Sequence, residues 1–210
     1  STLSSYLIPD AGDNVVTIIN YVHGIDDPDD FTLRPRTVTF ATDNGVWKLG
    51  DIVDSTPRIV SGVPLNKYDT VYSDVTYKAF IDNTNYENRG MVFAGGNDGM
   101  LHAFRLGLLE LTWTGKPPPP TPEKARLSPI GSTTMGDEAW AFIPKNALPY
   151  LKYLKDPDYC HLYYVDLSPY VFDASVGSGS GDQSAAPRHV ASWRTILLGG
   201  MRYGGAWSNT

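Results

Sequence analysis

The segment Met91–Phe104, MVFAGGNDGMLHAF, is the feature that most constrains the fold of this chain. Two short apolar runs flank Gly96-Asn97-Asp98-Gly99. Glycine and asparagine tolerate the positive φ angles of tight β turns, so the pattern predicts a hairpin of strands Met91–Gly95 and Met100–Arg105. We interpret Asn97-Asp98-Gly99 as a tight turn between two strands, in preference to a ligand-contacting loop at the rim of a larger structure.

Further strands are predicted along the chain, each bounded by turn residues. Residues 36–53 indicate a strand, a turn at Asp43-Asn44-Gly45 and a second strand. The remaining predicted strands are Pro57–Val63, Glu138–Ile143, His161–Asp166, Tyr170–Asp173 (the last two joined by a turn at Leu167-Ser168-Pro169) and the closing WRTILLGG segment.

Helices are expected to be few and short. Val15, Ile18, Ile19 and Val22 have helical spacing and Gly24 follows, which predicts an N-terminal helix over about 14–23. We also expect a short helix or irregular segment within 77–90 and a short helix from Pro144 that lies on the sheet.

Two long insertions interrupt the strands. The first covers about 115–130 and contains Pro117-Pro118-Pro119-Pro120, which favours polyproline II and argues against regular sheet. We interpret it as a surface loop, with a ligand for a proline-recognition domain as the alternative. The second is a Gly/Ser tract over about 177–183, which is typical of a flexible loop.

Composition supports one mainly β domain over residues 1–210. Hydrophobic residues make up 41% and charged residues 19%, so a packed core is expected; Gly 20, Pro 16 and Tyr 13 indicate a turn-rich β protein. The net charge is −6 and no basic run occurs, which argues against nucleic acid and anionic membranes as partners. No apolar run approaches the roughly 18 residues of a membrane span.

The residues predict no catalytic, cofactor-binding or metal site, and hence a protein that is not an enzyme. The four histidines lack metal-binding spacing, and His102 is expected to be a hydrogen-bonded structural residue. The acidic group Asp26, Asp27, Asp29 and Asp30 lacks the order of a calcium-binding EF-hand loop and is interpreted as a solvated turn. The single cysteine, Cys160, cannot form an intrachain disulfide and is expected to be a small buried residue.

Two segments resemble each other: GMVFAGGNDGMLHAF and RTILLGGMRYGGAW. In each, an apolar strand runs into Gly-Gly and is followed by a short turn, a glycine and an aromatic residue. Radially arranged sheets with long inserted loops would produce such an echo. The eight or nine predicted strands suffice for only two or three blades of about four strands, whereas propellers have roughly 4–8 blades. We therefore expect a partial β-propeller-like fold with short helices and long loops.

An ordered series of motifs identifies a family resemblance. WKLGDIVDSTPRIVSGVP, MVFAGGNDGMLHAF, GDEAWAFIPKNAL, HLYYVDLSPYVFD and WRTILLGGMRYGGAW occur in this order. Together they resemble the N-terminal part of the C-terminal β-propeller domain of the PilY family of type IV pilus biogenesis and adhesion proteins. The resemblance covers the chain from about Val15 to its last residues.

The resemblance implies a non-enzymatic protein of the cell surface, secreted through the periplasm and outer membrane. It implies support of type IV pilus assembly and extension, adhesion and twitching motility, with a position at the pilus tip beside the minor pilins. Calcium in this family binds an aspartate-rich loop further along the propeller, and no such loop occurs in these 210 residues. No cofactor is therefore expected here.

Two other hypotheses accompany this one. The first is a fragment of a quinoprotein dehydrogenase-like propeller enzyme, although its repeated Ala-x-Asp-x-x-Thr-Gly-x-x-x-Trp motifs are missing. The second concerns association: a partial propeller exposes strand edges, which predicts self-association or a complementary chain that supplies missing blades. The absence of an initial methionine and of a signal-peptide pattern leads us to expect a mature product or an excised piece.

Overall fold

The computed structural model of this chain describes residues 3–27, 29–114, 121–176 and 189–205. In these ranges the fold is mainly β, with short helices and four small antiparallel sheets. The mainly β class predicted from the sequence is confirmed. The described sheets do not close into a barrel.

The helices are short, and all of the α-helices lie before residue 91 in the described ranges. The α-helices are α1 (Ser4–Leu7), α2 (Val15–Val22), α3 (Tyr68–Val71), α4 (Val75–Ile81) and α5 (Thr84–Glu87); two 3₁₀ segments cover Lys145–Lys155 and Val190–Ser192. In α2 the Asn14 side chain caps the first turn by accepting from the Val16 N–H at 2.9 Å. Ile18 and Tyr21 are the buried residues of α2, and the chain leaves it at Gly24 with φ +77°.

In the described ranges, ten strands form the four sheets. They are β1 (Thr37–Phe40), β2 (Asp43–Val46), β3 (Arg58–Val60), β4 (Met91–Gly95), β5 (Leu101–Arg105), β6 (Leu108–Thr114), β7 (Thr121–Ser128), β8 (Glu138–Phe142), β9 (Leu167–Ser175) and β10 (Trp193–Gly200). The largest sheet has the order β3-β4-β5-β8, and the other three are the antiparallel pairs β1-β2, β6-β7 and β9-β10.

The predicted hairpin is confirmed as the centre of the largest sheet. β4 pairs with β5 in a register that sets Met91 opposite Arg105 and Gly95 opposite Leu101. Gly99 has φ +94°, a left-handed backbone conformation that glycine adopts without steric cost. The strand predicted at Glu138–Ile143 is observed as β8, and the closing WRTILLGG strand as β10.

The core consists of three clusters of buried side chains. One joins α2 and the 3₁₀ segment Lys145–Lys155 to Leu101, Tyr164 and Val165. A small one, formed by Val60, Phe93 and Ala103, packs the largest sheet against β9 and β10. The third is aromatic and holds α4 and α5 against β10; its buried members are Tyr77, Ile81, Tyr86 and Trp193.

The turn predicted at Asp43-Asn44-Gly45 is wrong, because these residues belong to β2. Phe40 pairs with Asp43, so the connection is the two residues Ala41 and Thr42, and Ala41 takes φ +54°. This register also lets the Thr39 hydroxyl donate to the Asn44 side-chain oxygen at 2.8 Å. Cross-strand pairing therefore outweighed the local turn preference of Asn-Gly.

The strand predicted over His161–Asp166 is also wrong, and so is the turn at Leu167-Ser168-Pro169, which begins β9. The backbone N–H groups of Tyr164 and Val165 donate to the Asn97 side chain and the Gly96 carbonyl, at 3.1 and 3.3 Å. These two backbone N–H groups therefore bind the β4–β5 turn and do not pair with a neighbouring strand.

Three smaller corrections concern extent and burial. The strand predicted over Pro57–Val63 is only Arg58–Val60. The 115–130 insertion is not a plain loop, because β6 and β7 pair from Leu108–Ser128 to Thr114–Thr121; the four prolines lie outside the described residues. Cys160 is exposed, because it lies in the irregular segment after the Lys145–Lys155 helix and not in the core. The Gly/Ser loop 177–183 lies outside the described residues.

Candidate functional site

The Asn97-Asp98 turn is buried, which the sequence did not indicate. Asn97 is 3% exposed and Asp98 8% exposed, although both occupy a hairpin connection that would ordinarily face solvent. Buried amides and carboxylates require hydrogen-bond partners, and each of these side chains has several. We call Asn97, Asp98, His102 and Glu138 the turn cluster.

Asp98 holds the segment that follows β2. Its carboxylate accepts from the Gly50 N–H at 2.7 Å and from the Met100 N–H at 3.2 Å. The approach is so close that a Cβ on Gly50 would lie 2.4 Å from the Asp98 backbone nitrogen. Gly50 is therefore required by contact with a backbone 48 residues away, a role that the motif Leu-Gly-Asp-Ile-Val does not reveal.

Asn97 connects the turn to two further segments. Its backbone N–H donates to the Asp51 carbonyl at 3.0 Å, and its side-chain oxygen accepts from the Tyr164 N–H at 3.1 Å. Its side-chain nitrogen lies 3.5 Å from His161 Nε2, and that histidine contacts the Asp51 carboxylate at 2.8 Å. The turn thus joins the segments 50–51 and 161–165 to the largest sheet.

His102 lies between two carboxylates. Its Nε2 is 3.0 Å from both oxygens of Asp98, and its Nδ1 is 2.5 Å from Glu138 on β8. Burial alone would lower the pKa of His102, but the bonds to Asp98 and Glu138 outweigh it and raise the pKa above its ordinary value. The expectation that His102 is hydrogen-bonded is confirmed, and its purely structural role stays a prediction.

A cavity of about 310 Å³ opens beside the turn cluster. Asn97, Asp98 and Gly50 lie on one side, and the rest of the lining comes from α2, the chain around 34–38 and 47–51, and Leu154 and Tyr159. Its aromatic and cationic lining residues are Tyr21, Arg34, Arg36, Trp47, Lys48 and Tyr159.

A second buried carboxylate cluster lies between the helices and β9. Asp173 accepts from the hydroxyls of Tyr77, Tyr86 and Thr195 at 2.8, 2.6 and 2.7 Å. Burial and the bond to Asp173 raise the pKa of both tyrosines. A different buried carboxylate, Asp166, accepts from the N–H groups of Tyr203 and Gly204, at 3.0 and 3.3 Å, in the turn after β10.

The two glycine-rich echo segments therefore share a device: in each, an aspartate holds backbone N–H groups of the turn region that follows the strand. Asp98 does so from within its own turn, and Asp166 does so from the segment before β9. The sequence shows the echo of glycines but does not show which aspartate serves the second turn.

The acidic group near residue 26 has local roles. Asp26 forms an ion pair with Arg36, and Asp27 and Asp30 accept from backbone N–H groups two residues further on. Across the described ranges, no three His, Cys, Asp or Glu side chains cluster closely enough to hold a metal ion. The Gly/Ser segment 177–183 lies outside those ranges.

The chain is therefore a mainly β module. Its buried polar side chains, such as Asp98 and Asn97, accept hydrogen bonds from backbone N–H groups of distant segments of the same chain. Comparison with curated proteins then supplies the relatives. The chain is 28% identical over 213 residues to a PilY1 homolog of Xylella fastidiosa, a type IV pilus biogenesis factor, covering 95% of this chain and 11% of that protein. It is 29% identical over 177 residues to the type IV pilus biogenesis factor PilY1 of Pseudomonas aeruginosa PAO1, covering 82% of this chain and 12% of that protein.

The resemblance to the PilY family is thereby confirmed by homologues that carry the name. The chain spans about a tenth of the length of these relatives. No protein-family model matches the chain, and no solved structure matches it. Within the described part of the chain, no helix has the length and apolar character needed to span a membrane.

Proposed function

We propose that this chain is a non-enzymatic module that supports type IV pilus assembly and extension, and adhesion, from the tip of the pilus. The observation that carries the proposal is homology to PilY1 proteins over as much as 95% of the chain. At the level of the family, those names support a role in type IV pilus biogenesis.

The proposed architecture is a segment of a β-propeller. The sheet β3-β4-β5-β8 is antiparallel and has four strands, the number of a propeller blade, which is about four. The pair β9-β10 packs against it through Val171 and Leu197, as the first two strands of a neighbouring blade would. The echo between β4 and β10 supports the same assignment.

A scaffold role agrees with the chemistry of the buried polar groups. Asp98, Asn97 and Asp173 direct their side chains at backbone N–H groups and hydroxyls of other segments. Such bonds hold loops in place, and loops on a rigid scaffold are the usual recognition elements.

The proposed partners are minor pilins or other pilus components, and the exposed strand edges provide a second means of association. The β1-β2 hairpin is exposed along its length and carries four large apolar side chains at or beside its strands: Val38, Phe40, Val46 and Trp47. Exposed apolar groups beside the open outer edges of a two-stranded sheet favour pairing with another chain, either a second copy or a complementary one.

The test of the pilus role is mass spectrometry of pili sheared from the source cells. We expect the protein to be enriched with the filaments and to be lost from that fraction when the major pilin is deleted. A protein that stays soluble in the periplasm, and is missing from sheared filaments, would contradict the proposal. A quinone titration tests the non-enzymatic assignment, because saturable quinone binding would favour a quinoprotein instead.

A further inference from the structure

Arg34 in the cavity beside the turn cluster is held by three contacts. Its backbone N–H donates to the Lys155 carbonyl at 2.7 Å, and its Nε donates to the Tyr21 hydroxyl at 3.3 Å. Its guanidinium carbon lies 4.2 Å from the centre of the Tyr159 ring. The last two contacts orient the guanidinium before any ligand binds, and the first anchors the backbone that carries it.

The outer nitrogens of Arg34 have no carboxylate partner among the described residues. The neighbouring Arg36 differs, because it binds Asp26 and the Tyr21 carbonyl. Arginine presents two parallel N–H groups that match the two oxygens of a carboxylate. Arg34 therefore presents an oriented guanidinium whose two outer N–H groups are available to bind a carboxylate.

The two carboxylates that line the cavity are already engaged. Asp98 binds the N–H groups of Gly50 and Met100 and contacts His102, and Asp51 contacts His161 at 2.8 Å. Lys48 adds a positive charge on the wall, with its Nζ 3.9 Å from Asp26 and its side chain 52% exposed. Three cationic side chains, Arg34, Arg36 and Lys48, thus line the cavity together with these two carboxylates.

We propose that this cavity, which we call the Arg34 cavity, binds a carboxylate group of a protein partner. The carboxylate is held by the two outer nitrogens of Arg34, with Lys48 contributing charge. A volume of about 310 Å³ is at the lower end of the range for ligand sites, roughly 300–1,000 Å³, so it suits one acidic side chain or a chain terminus. Trp47, 64% exposed, offers apolar surface to the atoms beside that group. This inference goes beyond the proposed function and does not depend on it.

Isothermal titration of the full chain with two short peptides tests the proposal. One probe is Ac-Gly-Gly-Glu-Gly-Gly-NH2, which presents an acidic side chain, and the other is Ac-Gly-Gly-Gly with a free C-terminal carboxylate. Each has an amide twin, with Gln for Glu or with an amidated C-terminus. We expect saturable binding of at least one carboxylate probe and no saturable binding of its twin; the probe that binds identifies the source of the carboxylate.

Substitutions then locate the binding. Arg34→Gln is expected to weaken the binding probe by about tenfold or more, since charged hydrogen bonds are lost. Arg34→Lys keeps the charge but loses the paired donors, so we expect it to weaken binding as well. The matched control is Arg126→Gln on the separate β6-β7 hairpin, which should leave affinity unchanged. Circular dichroism verifies that each variant is folded.

Three results would overturn the proposal: no saturable binding of either probe, equal binding of the amide twins, or full affinity in folded Arg34→Gln. If Arg34→Gln does not fold, Lys48→Gln replaces it, because this exposed side chain can be changed without loss of core contacts. We expect Lys48→Gln to weaken binding by about twofold to threefold at low salt. Unchanged affinity in that variant would then overturn the proposal.

Discussion

His102 Nε2 lies 3.0 Å from the Asp98 carboxylate, and the same carboxylate accepts the Gly50 N–H at 2.7 Å. One aspartate therefore joins the centre of the largest sheet to a segment almost fifty residues earlier. The strength of this connection depends on the charge of His102, because only a doubly protonated imidazole donates to Asp98 and Glu138 at once.

The first prediction follows from the raised pKa of His102. A group whose pKa is higher in the folded state adds stability that is full below its unfolded pKa, about 6.5 for histidine, and is lost as the pH rises through the folded value. We expect the free energy of unfolding to fall over that interval. Urea unfolding at a series of pH values measures it.

His102→Gln should flatten this pH dependence. His23→Gln, at an exposed position, is the matched control and should retain the wild-type slope. A wild-type curve that rises through neutral pH, or a slope that persists in His102→Gln, would contradict the assignment of the effect to His102.

The second prediction concerns Gly50. A Cβ at this position would lie 2.4 Å from the Asp98 nitrogen and 2.8 Å from the Asp98 Cβ. We expect Gly50→Ala to lower the free energy of unfolding by about 1–3 kcal/mol, because the backbone of the turn has to shift.

Gly45→Ala provides the comparison, since a Cβ there meets nothing within 4 Å. We expect its effect to stay within about 0.5 kcal/mol in the same urea experiment. Equal effects of the two substitutions would show that the contact between Gly50 and the turn is not a constraint.

The third prediction concerns the buried Asp173. Tyr77 donates to it at 2.8 Å and also accepts the Asn66 N–H at 3.1 Å. Tyr77→Phe keeps the ring in the aromatic cluster but leaves both groups short of a partner. We expect a loss of about 1–3 kcal/mol in the free energy of unfolding.

Tyr72→Phe is the control for that substitution. Tyr72 is 71% exposed, so removal of its hydroxyl should change stability by no more than about 0.5 kcal/mol. If Tyr77→Phe were as stable as the wild type, the hydrogen bond from Tyr77 to Asp173 would make no net contribution to the free energy of unfolding.

The fourth prediction concerns the exposed β1-β2 hairpin. Phe40 is 83% exposed on a hairpin that pairs with no further strand in the described ranges, so Phe40→Ser should reduce self-association without loss of stability. Phe31→Ser is the control, because Phe31 is 91% exposed but lies outside the strands. Sedimentation velocity over a range of concentrations measures the association. A wild-type chain that remains monomeric throughout would contradict self-association through this hairpin.

Local pattern predicted a large part of the fold. The spacing of Val15, Ile18 and Val22 indicated α2, and Gly96-Asn97-Asp98-Gly99 indicated the β4-β5 hairpin; both are observed. These elements were readable because their information lies within about ten neighbouring residues. The glycine at position 99 is a direct example, since its φ of +94° is a property of the turn itself.

One failure came where a distant segment competes for the same backbone groups, and another came within a single short hairpin. Residues 161–166 have the composition of a strand, yet Tyr164 and Val165 donate to the turn at 96–97. Asp43-Asn44-Gly45 has turn composition, yet pairing with Thr37–Phe40 draws it into a strand. No local signal reports which partner a backbone N–H finds across the molecule.

Residue order alone predicts the mainly β class, the β4-β5 hairpin, helix α2 and the resemblance to PilY1 proteins, because each depends on a short range of residues or on motifs taken in series. The burial of Asn97 and Asp98, the close backbone contact at Gly50 and the lack of a carboxylate partner for Arg34 among the described residues become visible only in the folded chain. The physical reason is that burial, close backbone approach and charge pairing are relations between segments far apart in the chain, and they arise only when packing brings those segments together.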